Sequence, residues 1–207
     1  MGLKTLILAS QSPRRRSLLA ESGRAFCVIP AEGVAEESPR ESDQPAALAV
    51  RNALAKARAV SRSAEALKLA PAAVIGCDTI ACVPVPERSG AYEILGKPLD
   101  RDDARRMLSL LSGSEHFVIS GLALVDLPSG RERTAFETTT LVMDRLDPET
   151  IEIYLESGAW RGKAGAFGYQ DGIEWLRIKS GSPSNVVGLP MELLDRMLDE
   201  FGMGETR

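Results

Sequence analysis

Arg14, Arg15, Lys56, Lys97 and Lys163 are cations at unusual places in the sequence. Asp78, with Glu36 or Glu37, supplies carboxylates, and Ser10, Ser12 and Gln170 add neutral polar groups. That mixture suits metal-assisted phosphoryl chemistry. Cations neutralise phosphate oxygens, carboxylates hold a hard divalent ion such as Mg²⁺ or Mn²⁺, and one carboxylate can orient or deprotonate water. His116 is the single histidine, which leaves little material for a His-rich zinc site or a His-based triad. Neither a Walker A pattern nor G-x-G-x-x-G is present, so a P-loop NTPase and a dinucleotide enzyme are unsupported. The residues alone lead to a phosphate-ester or nucleotide enzyme.

Three stretches must position these groups. In the first, the apolar run Leu6–Ala9 reads as a buried strand, followed by Ser10-Gln11-Ser12-Pro13. Ser12 suits a helix N-cap and Pro13 the first helical residue. Arg14, Arg15 and Arg16 then fall in the first turn, where free N–H groups already make the helix end positive. Such a place invites an anion, with a solvated basic turn as the plainer alternative. In the second, Ala73–Val83 is apolar except at Cys77-Asp78-Thr79. A buried carboxylate there must be paired, protonated or metal-bound. In the third, Lys163-Ala-Gly-Ala-Phe-Gly-Tyr-Gln170 combines glycines that permit close backbone approach with an amide that both donates and accepts. Its plainer alternative is a glycine-rich turn over core aromatics.

The remaining elements frame these stretches. Helices are expected over 14–22, 46–69, 100–111, 147–157 and 190–201. Strands are expected over 26–29, 92–95, 117–127, 134–146 and 173–178, and 181–190 reads as a loop. Early alternation of helices and strands, followed by an antiparallel pair, predicts an α/β fold: a mixed β-sheet flanked by helices. No repeat or interdomain linker breaks the chain, so residues 1–207 are expected to form one domain.

Composition bounds the partners. The chain has 207 residues, 44% of them hydrophobic, enough for a real core. A net charge of −4 argues against general nucleic-acid binding yet allows a small polyanion in a local basic pocket. No apolar stretch approaches the roughly 20 residues that span a bilayer. Cys27, Cys77 and Cys82 lack metal-ligand spacing and read as buried free thiols, which fits a reducing cytoplasm. His116 reads as a hydrogen-bonded structural histidine at a strand start.

Taken in order, several short motifs resemble the Maf family of nucleoside triphosphate pyrophosphatases. They are Ala9-Ser-Gln-Ser-Pro-Arg-Arg15, Leu54-Ala-Lys-Ala57, Gly76-Cys-Asp-Thr79, Leu95-Gly-Lys-Pro98, Met107–Gly113, Lys163–Gln170 and Asn185–Pro190. The resemblance implies a fold of two intimate lobes around a cleft, related to the ITPase type. It implies hydrolysis of a nucleoside triphosphate to the monophosphate and pyrophosphate, with a divalent cation and a role in clearing nucleotide pools. Asp78 takes the family's proton-acceptor position, and Lys56 and Lys97 join it as catalytic. Arg14, Thr79 and Gln170 take the specificity positions. Ser10, Arg15, Lys56, Lys97 and Lys163 take phosphate-binding positions. Glu36 is the acidic loop residue that would hold metal with Asp78, Glu37 and Glu32 being the alternatives. The Lys163–Gln170 stretch is similar to the branch acting on dTTP and UTP. Two segments depart from the family pattern, Ala159-Trp-Arg-Gly162 and Tyr169-Gln-Asp171. Rival readings are a pyrophosphatase for 7-methyl-GTP or other modified purines, and a non-catalytic nucleotide-binding regulator of cell division. A homodimer follows from the resemblance alone.

Overall fold

The computed structural model describes residues 5–37, 44–86 and 88–203. Residues 38–43 of the expected acidic loop and the expected frayed end after 203 lie outside them. Strand β1 (Thr5–Leu8) leads into helix α1 (Pro13–Glu21), and Ser12 caps it by accepting from Arg15 N. β2 (Phe26–Val28) precedes α2 (Pro45–Ser61) and the short α3 (Ala64–Leu67). β3 (Ala72–Pro84), β4 (Tyr92–Leu95), α4 (Arg101–Leu111), β5 (Glu115–Leu127) and β6 (Glu132–Met143) follow. The chain ends with α5 (Pro148–Glu156), two 3₁₀ turns, β7 (Leu176–Ser180), α6 (Pro183–Val187) and α7 (Met191–Glu200).

The seven strands form one mixed sheet in the order β2-β1-β3-β5-β6-β7, with β4 also on β3. β1 runs parallel to β2 and β3, and the other pairings are antiparallel. This is the mixed sheet flanked by helices that the sequence predicts. β5 covers one edge of β3 from Ala72 to Cys82. The opposite edge is shared: β1 pairs with residues 72–75 and β4 with residues 81–84. Gly76–Ile80 therefore face a break between two neighbours, and Asp78 and Thr79 lie in that break.

The two faces of the sheet, on either side of the break, carry separate apolar clusters. Ala72 and Val74 pack with Ala53 and Ala57 of α2, while Ala73, Ile75 and Cys77 pack with Leu19, Leu194 and Met197. Beyond the break, Ile80 and Cys82 meet Ala49, and Ala81 and Val83 meet α4 and α5. β3 and β5 run through both halves.

Four expectations are corrected. The helix expected over 46–69 is broken, because the Ser63 hydroxyl accepts from Ala66 N and starts α3 anew. The strand expected over 173–178 begins only at Leu176, where pairing with Met143 begins. Ile173 and Trp175 instead pack as a turn on the core, with Trp175 edge-on to Tyr154. The loop expected over 181–190 contains α6, anchored by the fully buried Asn185, whose amide donates to Val118 O and Thr139 Oγ1. Cys27 is only half-buried, unlike Cys77 and Cys82, because it sits on the outermost strand.

Helix α2 lies unusually close to the sheet at two glycines. A Cβ on Gly76 would sit 2.1 Å from Ala53 O, and one on Gly121 would sit 2.3 Å from Ala49 O. Neither space can be made by rotating a side chain, so the helix itself would have to move. Gly76→Ala and Gly121→Ala are each expected to lower unfolding stability by about 1–3 kcal/mol. Gly96→Ala, with open space around it, is expected to stay within about 0.5 kcal/mol. Urea midpoints of the three variants check this; equal midpoints would mean that the helix is not wedged against the strands.

Candidate active site

The gap between β1 and β4 beside β3 opens into a cleft of about 620 Å³. Among the residues singled out from the sequence, Ser10, Arg14, Arg15, Glu36, Lys56, Asp78, Thr79, Lys97, Lys163 and Gln170 line it. Side chains alternate across β3, so Asp78 faces α2 while Cys77 and Thr79 face α1 and α6.

On the α2 side, the nearly buried Asp78 accepts from Lys56 Nζ at 2.6 Å and from Asn52 Nδ2 at 3.1 Å. Asn52 and Lys56 are four residues apart on α2 and so share one face. Lys56 Nζ also donates to Glu36 Oε1 at 2.7 Å, so a single ammonium joins two carboxylates. Burial alone would raise the Glu36 carboxyl. The Lys56, Lys97 and Arg15 charges outweigh it and hold the group below its ordinary range. Glu37 turns to Arg51, and its backbone N–H donates to Asn52 Oδ1 at 2.9 Å. Glu32 is not among the lining residues. Of the three acidic candidates, Glu36 shares the Lys56 ammonium with Asp78.

On the other side, Arg15 is a clamp. Its Nε donates to Gly188 O at 2.8 Å, Nη1 to Cys77 O at 2.7 Å and Nη2 to Thr79 Oγ1 at 3.1 Å. Gly188 presents its carbonyl from φ +123°, a conformation that favours glycine. Thr79 Oγ1 also meets Ser120 Oγ at 2.8 Å. Arg15 thus fills the break from below and ties α1, β3 and the α6 turn together. Ser10 Oγ accepts from Ser12 N at 3.2 Å, which shapes the loop before α1.

The far wall is the 163–171 segment, built of two 3₁₀ turns. Gly165 N donates to Gly96 O, which ties this wall to the Lys97 turn. Lys163 Nζ is held by Asp171 at 2.6 Å. Lys97 and Gln170 are exposed on the rim. Arg14 reaches across to Gly162 O at 3.5 Å.

Sequence reading missed Asn52, Ser120 and Asp171, which partner Asp78, Thr79 and Lys163. Asn52 could have been found as a polar residue four before Lys56 within an apolar helix stripe. Ser120 and Asp171 become visible only once strand register and turn geometry are known.

His116 corrects a further expectation. It is fully buried, yet neither ring nitrogen has a hydrogen-bond partner among the described residues, and it packs edge-on against Phe167 of the far wall at 5.3 Å. Burial lowers its pKa from 6.5 to about 4.

A family profile described as Maf-like protein matches residues 5–201. A dTTP/UTP pyrophosphatase of Rhodopirellula baltica is 41% identical over 200 residues, covering 96% of this chain and 82% of that protein. One from Symbiobacterium thermophilum is 42% identical over 201 residues, covering 97% and 95%. The structure of a HAM1 protein from Coxiella burnetii aligns with a TM-score of 0.43 at 17% identity, over 69% of this chain and 74% of that one.

The histidine gives a pH test. The unfolded chain takes up its proton near pH 6.5, whereas the folded chain resists until about pH 4. This contribution is therefore complete above pH 6.5 and is lost as pH falls toward 4. Between pH 7 and pH 5 it amounts to about 2 kcal/mol. His116→Leu is expected to lose that much less stability than the parent over the same interval, read from urea midpoints at both pH values. Equal losses would mean that His116 is not held neutral in the fold.

Proposed function

The chain belongs to the Maf family, and from that premise we propose that it hydrolyses dTTP and UTP to the nucleoside monophosphate and pyrophosphate. Cleavage falls between the α and β phosphates. The observation that carries this reading is the buried Asp78 carboxylate, fixed by Lys56 and Asn52 at the gap between the two neighbours of the central strand. It opens onto a cleft whose lining holds six cations, Arg14, Arg15, Lys56, Lys97, Arg161 and Lys163, against the carboxylates of Glu36, Glu37, Asp78 and Asp171. In a chain of net charge −4, that local excess is what a polyanion would seek.

Asp78 is assigned as the base that orients a water and takes its proton during in-line attack. Lys56 lies against one oxygen of Asp78, and Asn52 fixes the other. Lys97 and Arg14 stand on opposite rims of the cleft, where they stabilise charge on the departing pyrophosphate. The exposed amide of Gln170 reads the base edge.

The site fits a hard divalent cation, Mg²⁺ or Mn²⁺. Glu36 Oε1 and Asp78 Oδ1 share the Lys56 ammonium, which brings the two carboxylates side by side, and their remaining lone pairs are the ones that would meet the ion. Among the described residues no cluster of three His, Cys, Asp or Glu could hold a metal alone. The ion would therefore share Glu36 and Asp78 with substrate oxygens and water, as such ions commonly do. When bound, it supplies Lewis-acid polarisation of the phosphate.

We further take residues 1–207 as one domain, acting in the cytoplasm on free nucleotide rather than on nucleic acid or membrane. The acidic net charge and the free, buried thiols of Cys77 and Cys82 support this. No helix among the described residues is long and apolar enough to cross a membrane. Family likeness supports a homodimer.

Product analysis tests the reading. Protein with Mg²⁺ or Mn²⁺ is given dTTP, UTP, CTP, GTP, ATP, ITP and 7-methyl-GTP. Monophosphate and pyrophosphate are expected from dTTP and UTP. Asp78→Asn is expected to lower kcat by at least about 100-fold with the fold intact by circular dichroism. Release of orthophosphate and a nucleoside diphosphate would overturn the bond assignment. Turnover from purines alone would overturn the base assignment, and near-normal activity of Asp78→Asn would remove that residue from its role.

A further inference from the structure

We propose that Asp171 is a positioning residue for base recognition. With Lys163 and Tyr154 it forms a strut that holds Gln170 in the cleft, and Lys163 serves this strut rather than a phosphate. The inference rests on the nucleotide reading above.

Lys163 Nζ lies 2.5 and 2.6 Å from the two Asp171 oxygens, so its charge is answered inside the protein. Both side chains are largely shielded, 13% and 18% exposed, so the contact is more than a loose surface pair. Tyr154, from α5, donates its hydroxyl to Asp171 Oδ2 at 2.6 Å and accepts from Gly168 N at 3.1 Å. The contacts run Lys163–Asp171–Tyr154–Gly168 and close around the segment that carries Gln170. Tyr154 is itself buried and packs edge-on against Trp175, so the strut stands on the core. Burial and the Asp171 charge both push the Tyr154 phenol up, which keeps it protonated as a donor.

Gly168 supports the same reading. Its φ of −131° suits any residue. A Cβ there would nevertheless lie 2.3 Å from Lys163 Nζ and 2.5 Å from Asp171 Oδ2. The ion pair is packed against bare backbone, two residues before Gln170. Gln170 is exposed and makes no hydrogen bond of its own among the described residues. Its place is set by the backbone on either side, and Asp171 is its immediate neighbour.

A competing role makes the opposite prediction. Were Lys163 a phosphate cation muted by Asp171, removing the carboxylate would free it, and kcat/KM would rise alike for every base. The strut predicts that Asp171→Asn lowers kcat/KM for dTTP and UTP, mainly through KM. It leaves the weaker turnover of GTP nearly unchanged, so base discrimination falls by about tenfold. Tyr154→Phe, a milder change, shifts discrimination the same way and less. Lys163→Met lowers base discrimination in the same direction, whatever it does to turnover overall, and the double variant loses no more discrimination than either single one. A uniform rise, or a uniform fall across all bases, would overturn the proposal.

Thermal unfolding of the parent, Asp171→Asn, Lys163→Met and the double variant gives a reading that needs no turnover. Sub-additive losses support the pair, because the double variant removes the stranded charge that each single one leaves. Additive losses overturn it. If the parent protein cleaves no triphosphate, the functional reading fails while this cycle still judges the strut.

Discussion

A carboxylate buried in the middle of a central strand is the constraint on which this structure turns. An unpaired charge buried there would cost far more than a domain can absorb, so Asp78 needs partners. Its partners come from α2. Lys56 and Asn52 reach it only because the helix lies nearly on the sheet, and it can lie there only because Gly76 and Gly121 lack side chains. Gly121 is the register partner of Asp78 itself. Ala49, Ala53 and Ala57 complete the fit with a stripe of small residues on the helix. Glycines in two strands, alanines in one helix and an ion pair are thus parts of one arrangement.

The gap between β1 and β4 along one edge of β3 explains why the same strand can serve two faces. β1 leaves its edge after Ile75 and β4 joins it at Ala81, so the strand between has β5 on one side alone. Unsatisfied strand carbonyls are costly when shielded from water. Arg15 answers the Cys77 carbonyl and also holds Gly188 O and Thr79. This accounts for an arginine in a helix first turn, where the helix ends already repel cations. The guanidinium lies under the strand, bonded to carbonyls and a hydroxyl, rather than in solvent along the helix axis.

Signals that act over a few residues were legible in the sequence. Ser12-Pro13, Asp100 and Asp147 mark helix starts that the structure keeps, and the oddity of Asp78 in an apolar run pointed at the site. Features decided by distant partners were not legible. Nothing local says that Asn185 anchors α6 through strands β5 and β6, or that Ser63 interrupts an alanine-rich helix. His116 was expected to hydrogen-bond because buried polar groups usually do. It packs instead edge-on against Phe167, a residue of the apolar core. The sequence also cannot show which lysines are answered by a protein carboxylate, as Lys163 is because Asp171 folds back onto it.

That distinction orders the charges of the cleft. Lys56, Lys163 and Arg15 are each engaged by protein oxygens before any ligand arrives, so they hold other groups in place at no further cost when one does. Electrostatic stabilisation is most effective when dipoles and charges need no rearrangement at the moment of reaction. Lys97 and Arg14 differ: one is exposed beyond β4, the other reaches over the cleft from α1 to a single backbone oxygen at 3.5 Å. They come from opposite halves of the sheet, so a single anion that engages both spans the gap beside β3. β3 and β5, which run unbroken through both halves, fix the spacing of those two cations, and Asp78 sits at their shared midpoint.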